Sequence, residues 1–347
     1  MSKLLTISIP TYNRAGMLLN QLNWLAAELV NLTDQCDIVV HDNASTDNTQ
    51  QVVEHWKSSL KLPIHFTYIR NNANIGGMAN IVACLKHATG KFIWTLGDDD
   101  PIANGTVEDI LSNIKAYENL GLILLNGRGR DVITGNIKIK QWFHKAINHP
   151  SRIDANSFNY FLTNNLGGIL FISSTVYRND LVKEALIAWP DCHKNLAAQA
   201  FWVAYCAARG SFIITSKIYT ECAMGIGFTD KDPQWTFKMR FLEIPEVFLR
   251  LMNQGYNKTF CLFRVLHNIK SKKSVLVMQG SFRRWPMFSL KSALRYSKII
   301  AKASLIYIFD RNSVTSGSAA TEQVPELENI KAEIVADNSG ASESLNN

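Results

Sequence analysis

Asp98, Asp99 and Asp100 follow the apolar run Phe92-Ile93-Trp94-Thr95-Leu96. Three adjacent carboxylates repel one another unless a cation joins them, so the run is costly to fold alone. Carboxylate oxygens suit Mg²⁺ or Mn²⁺, ions that also bind phosphate oxygens. Because the acids sit in a loop, strand alternation does not assign the ligands, and without a metal the same run is an acidic lead-in to the next helix. Three other polar segments invite chemistry: Pro10-Thr11-Tyr12-Asn13-Arg14, Asp42-Asn43-Ala44-Ser45-Thr46-Asp47, and Asn72-Ala73-Asn74-Ile75-Gly76-Gly77 with Asn80 beyond. Each alone is weak. An Asp-Asn-x-Ser-x-Asp stretch is most often a helix cap, and Gly76-Gly77 reads equally as a plain turn or as backbone that can approach a ligand closely.

The elements around these segments give them a common address. Leu4–Ile9, Asp37–His41, Ile64–Ile69, Lys91–Leu96 and Leu122–Asn126 read as buried strands. Helical patterns alternate with them at 15–30, from about Asp47, at Gly77–His87 and at about Val107–Tyr117. That alternation predicts a parallel sheet covered on both faces, and ligands of such sheets sit outside the carboxyl ends of the strands. All four polar segments fall at those ends. Beyond residue 127 the pattern predicts a hairpin over Asp131–Gln141 turning at Gly135-Asn136, a strand at Gly168–Ile172, a helix over Lys194–Ala208 and a short strand at Phe212–Thr215. Residues 234–276 read as helical, Trp285-Pro286 as a break and 288–308 as one more helix.

Together the four segments resemble the nucleotide-sugar-binding half of family 2 glycosyltransferases, over roughly residues 4–215 and most specifically Leu4–Ile102. The forms Ile-Pro-Thr-Tyr-Asn-Arg, Asn-Ile-Gly-Gly and Leu-Gly-Asp-Asp-Asp are similar to the abequosyltransferase-like enzymes of O-antigen and exopolysaccharide assembly. The resemblance implies a GT-A fold: a Rossmann-like, mostly parallel sheet flanked by helices, here with a helical, basic C-terminal extension. It implies inverting transfer of a hexosyl or deoxyhexosyl group from a nucleoside-diphosphate sugar to a saccharide or lipid-linked saccharide acceptor, assisted by Mn²⁺ or Mg²⁺. The ion would neutralise charge developing on the departing diphosphate. The loop of Pro10, Thr11, Tyr12 and Arg14 would lie against the nucleotide. Asp42, an acceptor when ionised, would take a base N–H, and Asn74, Gly76, Gly77 and Asn80 would approach the nucleotide. The family's Asp-x-Asp places its second Asp on Asp99 and its first on Gly97, which leaves Asp98 or Asp100 to help. Asp99 and Asp100 are accordingly the expected metal ligands and Asp98 a donor-binding residue.

The catalytic base departs further from the family pattern. Counted back from Gly210, the family's Glu-Asp positions fall on Ala198 and Gln199, which cannot abstract a proton. The nearest titratable groups are Asp191 and His193. Either could deprotonate a sugar hydroxyl, His193 could instead ligate the metal, or Asp191 could cap a helix while His193 lies on the surface. The departure raises an alternative, a catalytically inactive nucleotide-sugar-binding or scaffold protein of the same fold. Trp142, Phe143, Asn165 and Gly167-Gly168 could line an acceptor site, with core packing the competing role for Phe143.

Composition narrows the remaining classes. With 47% hydrophobic and 19% charged residues in 347, the chain has ample material for a core. Six cysteines form no C-x-x-C pair, and no secretory signal precedes the first strand, so reduced thiols and a cytoplasmic location are expected. The net charge of +7 is unevenly spread: residues 264–311 carry eleven Lys/Arg against Asp310, while 312–347 carry six acids against Lys331. The expected organisation is a catalytic domain over 1–230, a helical basic region over 231–311 and a disordered acidic tail over 312–347. No apolar run reaches the roughly 18–20 residues that span a bilayer. The basic residues are distant in sequence from the acids, so nucleic acid is not an expected partner. The basic segment, with Trp285, Phe288, Leu290 and Leu294, is expected instead to hold the enzyme on the inner face of the cytoplasmic membrane.

Overall fold

Leu5, Ile7 and Ile9 alternate with Thr6 and Ser8, yet all five are buried, because strand β1 (Leu5–Thr11) runs inside a sheet covered on both faces. The computed structural model describes residues 3–151, 161–162, 164–225, 234–270 and 272–315. β1 pairs in parallel with β2 (Cys36–Asp42) on one side and β4 (Phe92–Thr95) on the other, and β2 pairs in parallel with β3 (His65–Arg70). Helices α1 (Ala15–Glu28), α2 (Thr49–Ser59) and α3 (Gly77–His87) make the crossovers. Leu18, Leu22 and Leu25 form the buried stripe that seats α1 on the sheet. In register, Thr11 lies beside Asp42 and Asp42 beside Arg70, so these strands release their loops at one edge.

The second half is less regular than expected. After α4 (Thr106–Ala116), β5 (Leu120–Asp131) leads to β6 (Ile137–Ile139) and β7 (Ile147–Ser151). The hairpin turns as predicted, with Gly135 at φ +72° and the Asp131 amide donating to the Asn136 carbonyl at 2.9 Å. The strand expected at Gly168–Ile172 is instead a helical turn, α5 (Leu166–Ile169), followed by a 3₁₀ turn at Ile172–Ser174. A short apolar run does not distinguish buried helix from strand. A Cβ at Gly168 would also meet Trp142 Cβ at 2.6 Å, so the tryptophan packs on bare backbone. The strand begins at β8 (Thr175–Arg178) and runs antiparallel between β4 and β5. Helices α6 (Asn179–Ala188) and α7 (Ala198–Arg209) and the fourteen-residue β9 (Ser211–Met224) complete a mixed sheet ordered β3-β2-β1-β4-β8-β5-β9-β7, with β6 on β5.

The remaining helices are α8 (Trp235–Lys238), continued by a π turn at Met239–Glu243, then α9 (Ile244–Leu251), α10 (Lys258–Lys270), α11 (Lys272–Arg284) and α12 (Pro286–Thr315). Phe237, Phe241, Leu242 and Tyr296 form their core. They are tied to the sheet by the Leu196 amide, which donates to Glu243 Oε2 at 2.9 Å, and by Tyr256 OH, which donates to the Ala204 carbonyl at 2.7 Å. Met1–Ser304 is one compact unit. Residues 226–233 themselves lie outside the described residues. Of a second unit, Leu305–Asn347, residues 305–315 are described and helical. The tail expected from 312 is thus helical to Thr315, and 316–347 lie outside the described residues. Among the described residues no helix is long and apolar enough to cross a membrane, and Cys36, Cys84, Cys192, Cys206 and Cys261 form no disulfide.

Candidate active site

The first two loops brace each other. Past Thr11 the chain turns sharply at Asn13, whose φ of 53° is left-handed, a region asparagine tolerates. The Asn13 amide donates to Ser45 Oγ at 2.9 Å, and the Thr46 amide donates to Asn13 Oδ1 at 2.7 Å. This turn throws Arg14 across the crevice, where its Nη1 lies 2.8 Å from Asp98 Oδ1 and 2.7 Å from Asp99 Oδ2. Thr11 Oγ1 donates to the other oxygen of Asp98 at 2.6 Å. Pro10 is half-buried behind these contacts and Tyr12 is exposed.

The three acids have three different fates. Asp98 is buried, and burial raises its pKa although Thr11 and Arg14 pull it down. Asp100 is also buried, and its pKa is pushed up to about 8, first by desolvation and then by its acidic neighbours against the opposing Ser173 bond. Ser173 Oγ donates to Asp100 Oδ2 at 2.5 Å and accepts the Gly97 amide at 2.8 Å. Asp99 keeps a quarter of its side chain exposed. Arg14 supplies a counter-charge to two of the acids, and burial favours the neutral form of Asp100. Asp100, expected as a metal ligand, is thus bonded to Ser173. Its position also accounts for Gly97 at the first position of the family motif, since a Cβ there would lie 2.2 Å from Asp100 Oδ2.

Asp42, expected to take a base N–H, ends β2 at the second loop. It has no exposed surface, and its oxygens accept the Ser45 amide at 2.8 Å and Tyr68 OH at 2.6 Å, with Arg70 Nε at 3.4 Å. Arg70 also donates to the Ser45 carbonyl. In this arrangement Asp42 holds the second loop. Its neighbour Asn43 reaches the third loop: Oδ1 accepts from Asn71 Nδ2 and the Ile75 amide, and Nδ2 donates to Asn74 Oδ1 at 2.9 Å. Asn80 extends the amide network from Asn71 to the His41 carbonyl. Gly76, at φ +90°, and Gly77 are exposed with open space around them, so the backbone entering α3 is uncovered. Asn43, Tyr68, Arg70 and Ser173 carry no signal as isolated residues; only the register and the fold bring them here.

Asp191 and His193 sit in the turn between α6 and α7. Asp191 is exposed and bound to Lys194 Nζ at 2.9 Å, which holds its carboxyl below the usual range. Among the described residues neither side chain is hydrogen-bonded to the acidic loop. The head of α7 comes closer: Gln199 is buried and donates to the Phe171 carbonyl at 3.2 Å and to Thr175 Oγ1 at 3.3 Å, on either side of Ser173. Ala198 is buried beside it. Phe143 is buried as core, while Trp142 is half-buried against Gly127, Gly167 and Gly168. Asn165, half-buried, donates to the Phe161 carbonyl. Among the described residues no group of three His, Cys, Asp or Glu side chains could hold a metal, and of the three acids of the loop Asp99 alone is not buried.

Comparison with known proteins agrees with this architecture. A model described as Glycosyl transferase family 2 matches residues 6–184. Over 140 residues the chain is 30% identical to Abequosyltransferase RfbV of Salmonella typhimurium, covering 40% of this chain and 41% of that protein. Over 220 residues it is 28% identical to Poly(ribitol-phosphate) beta-N-acetylglucosaminyltransferase TarS of Staphylococcus aureus, covering 62% of this chain and 34% of that one. The chain thus matches less than half the length of either relative. S. aureus TarS 1–349 in complex with UDP-GlcNAc superposes with a TM-score of 0.58 at 17% identity, covering 90% of this chain and 92% of that one. The same fragment with UDP also gives 0.58, over 94% and 95%. At such identity the likeness shows the fold, a mostly parallel GT-A sheet flanked by helices.

Proposed function

Because the chain belongs to glycosyl transferase family 2, we propose that it moves a sugar from a nucleoside-diphosphate donor to a saccharide acceptor in the crevice outside β1 to β4. One observation carries this reading: Thr11, Arg14, Asp98 and Asp99, from two separate strand ends, meet within hydrogen-bond distance and leave one carboxylate and one guanidinium partly exposed. Asp99 fits a Mg²⁺ or Mn²⁺ ion held chiefly by diphosphate oxygens, since Mg²⁺ commonly takes one or two carboxylates plus substrate phosphates. Such an ion, when bound, supplies charge neutralisation for the leaving diphosphate. Arg14 presents a second positive charge at the same place, and the open turn at Gly76-Gly77 lets the nucleotide approach the backbone. The donor reading is supported by the UDP-sugar complex of TarS. One relative is named for abequosyl transfer and another for N-acetylglucosamine transfer to poly(ribitol-phosphate), which supports a carbohydrate or polyol-phosphate polymer as the destination.

The finer reading is inverting transfer to a lipid-linked saccharide of a surface polysaccharide such as O-antigen. The protein would be held at the inner face of the cytoplasmic membrane by its basic helices. Lys194 weakens Asp191 as a base, so His193 is the base to test first, by His193→Ala against Asp191→Ala with donor affinity measured in parallel. An inactive nucleotide-sugar-binding protein is the second reading, favoured by Ala198 and Gln199 at the head of α7. It predicts donor binding without turnover. The main test is Asp99→Asn, expected to lower transfer by about a hundredfold or more while circular dichroism stays unchanged, with EDTA imitating it in the unaltered enzyme. Near-normal turnover of Asp99→Asn would remove the proposed role of this carboxylate.

A further inference from the structure

Between α8 and the end of α11 lies a cleft of about 670 Å³. Phe237, Val277 and Trp285 supply apolar walls, Thr236 and Ser281 supply hydroxyls, and Arg283 and Arg284 line it as well. Both arginines are exposed, and neither has an acidic partner among the described residues. From Lys258 to Ser304 the sequence holds eleven Lys/Arg and no Asp or Glu, so nothing local competes for them.

The surface beside the cleft has a matching character. On α12, Met287, Leu290 and Leu294 are at least half exposed, and their spacing of three and four residues puts them on one face. Lys291 and Lys298, both exposed, stand among them, while Tyr296, Ile299 and Ala303 are buried on the other side. On α11, Leu276 is 68% exposed. Apolar side chains set among lysines fit the headgroup zone of an anionic bilayer.

We propose that the cleft binds the phosphomonoester headgroup of an anionic membrane lipid. The inference rests on the membrane reading above and sharpens it from general charge to one discrete site. Guanidinium forks match phosphate oxygens two at a time. A monoester offers three terminal oxygens and more than one negative charge near neutral pH, enough for both arginines, whereas a diester offers two oxygens and one charge. Phe237 and Trp285 would border the glycerol, and the α12 stripe would enter the acyl boundary.

Sedimentation of the full chain with phosphatidylcholine liposomes tests this, using either phosphatidic acid or phosphatidylserine at matched surface charge. The expected result is a severalfold preference for phosphatidic acid. Lys291→Ala/Lys298→Ala should keep that preference while weakening both interactions, and Arg283→Ala/Arg284→Ala should abolish it, although each pair removes two charges. Equal binding to the two liposomes, or identical behaviour of the two variants, overturns the headgroup site and leaves membrane attachment standing. Failure to sediment with either anionic liposome at low salt overturns attachment as well.

Discussion

Burial and hydrogen bonding divide Asp98, Asp99 and Asp100 into two inward groups and one that meets solvent, with Arg14 as the shared counter-charge. The cluster is legible in the sequence, because three acids after a buried strand demand an explanation. Their orientations are not legible, because Thr11 and Ser173 lie 87 and 73 residues from the acids they hold. Asp42 shows the same limit: its type suits a base N–H, and its bonds to Tyr68 and the Ser45 amide are not legible in the sequence. A neighbouring residue supplies a pH prediction. His41 is buried, stacks on His87 at 4.9 Å, and has no hydrogen-bond partner at either ring nitrogen among the described residues. Burial, and secondarily His87, lowers its pKa to about 4. Between that value and the ordinary value of 6.5 the unfolded chain binds more protons, so stability should rise with pH across this window and level off above it. Urea midpoints at pH 5 and pH 7 should therefore differ more for the unaltered protein than for His41→Leu. Equal differences would show that His41 does not supply this slope.

At the scale of elements, the crossovers from β1 to β4 follow from their alternation of strand and helix, and α3 has the predicted bounds. The antiparallel entry of β8 does not follow, since Gly167-Gly168-Ile169-Leu170-Phe171-Ile172 has no period that separates helix from strand. The glycines make a bed for Trp142, and the chain turns before pairing. That turn delivers Ser173 to the acidic loop. Ser173→Ala would leave the Gly97 amide without its acceptor and Asp100 without its donor. An unmade buried bond costs about 1–3 kcal/mol, so the urea midpoint should fall correspondingly and donor affinity should weaken with it. An unchanged midpoint and affinity would show that the loop is held by other contacts.

At the scale of the molecule, the change from mixed charge to a basic helical region is visible in the sequence, but its union with the sheet is not. The linking contacts join Leu196 to Glu243 and Ala204 to Tyr256 across long stretches of chain. Deletion beyond residue 263 would remove Val265, which is fully buried and accepts the Tyr296 hydroxyl through its carbonyl, so it would damage the fold as well as remove charge. Urea unfolding followed by far-ultraviolet circular dichroism and by tryptophan fluorescence should give one coincident transition over Met1–Ser304. Two separated transitions would mean that the helical region folds on its own. The bond between Ser173 and Asp100 also has a meaning in time, because synthesis proceeds from one end. When the acidic loop leaves the ribosome its serine partner has not yet been made, and β8 arrives later still. Until then the growing chain carries Asp100 without its clasp, so the acidic loop takes its final form as a late step of birth, when β8 slots between β4 and β5.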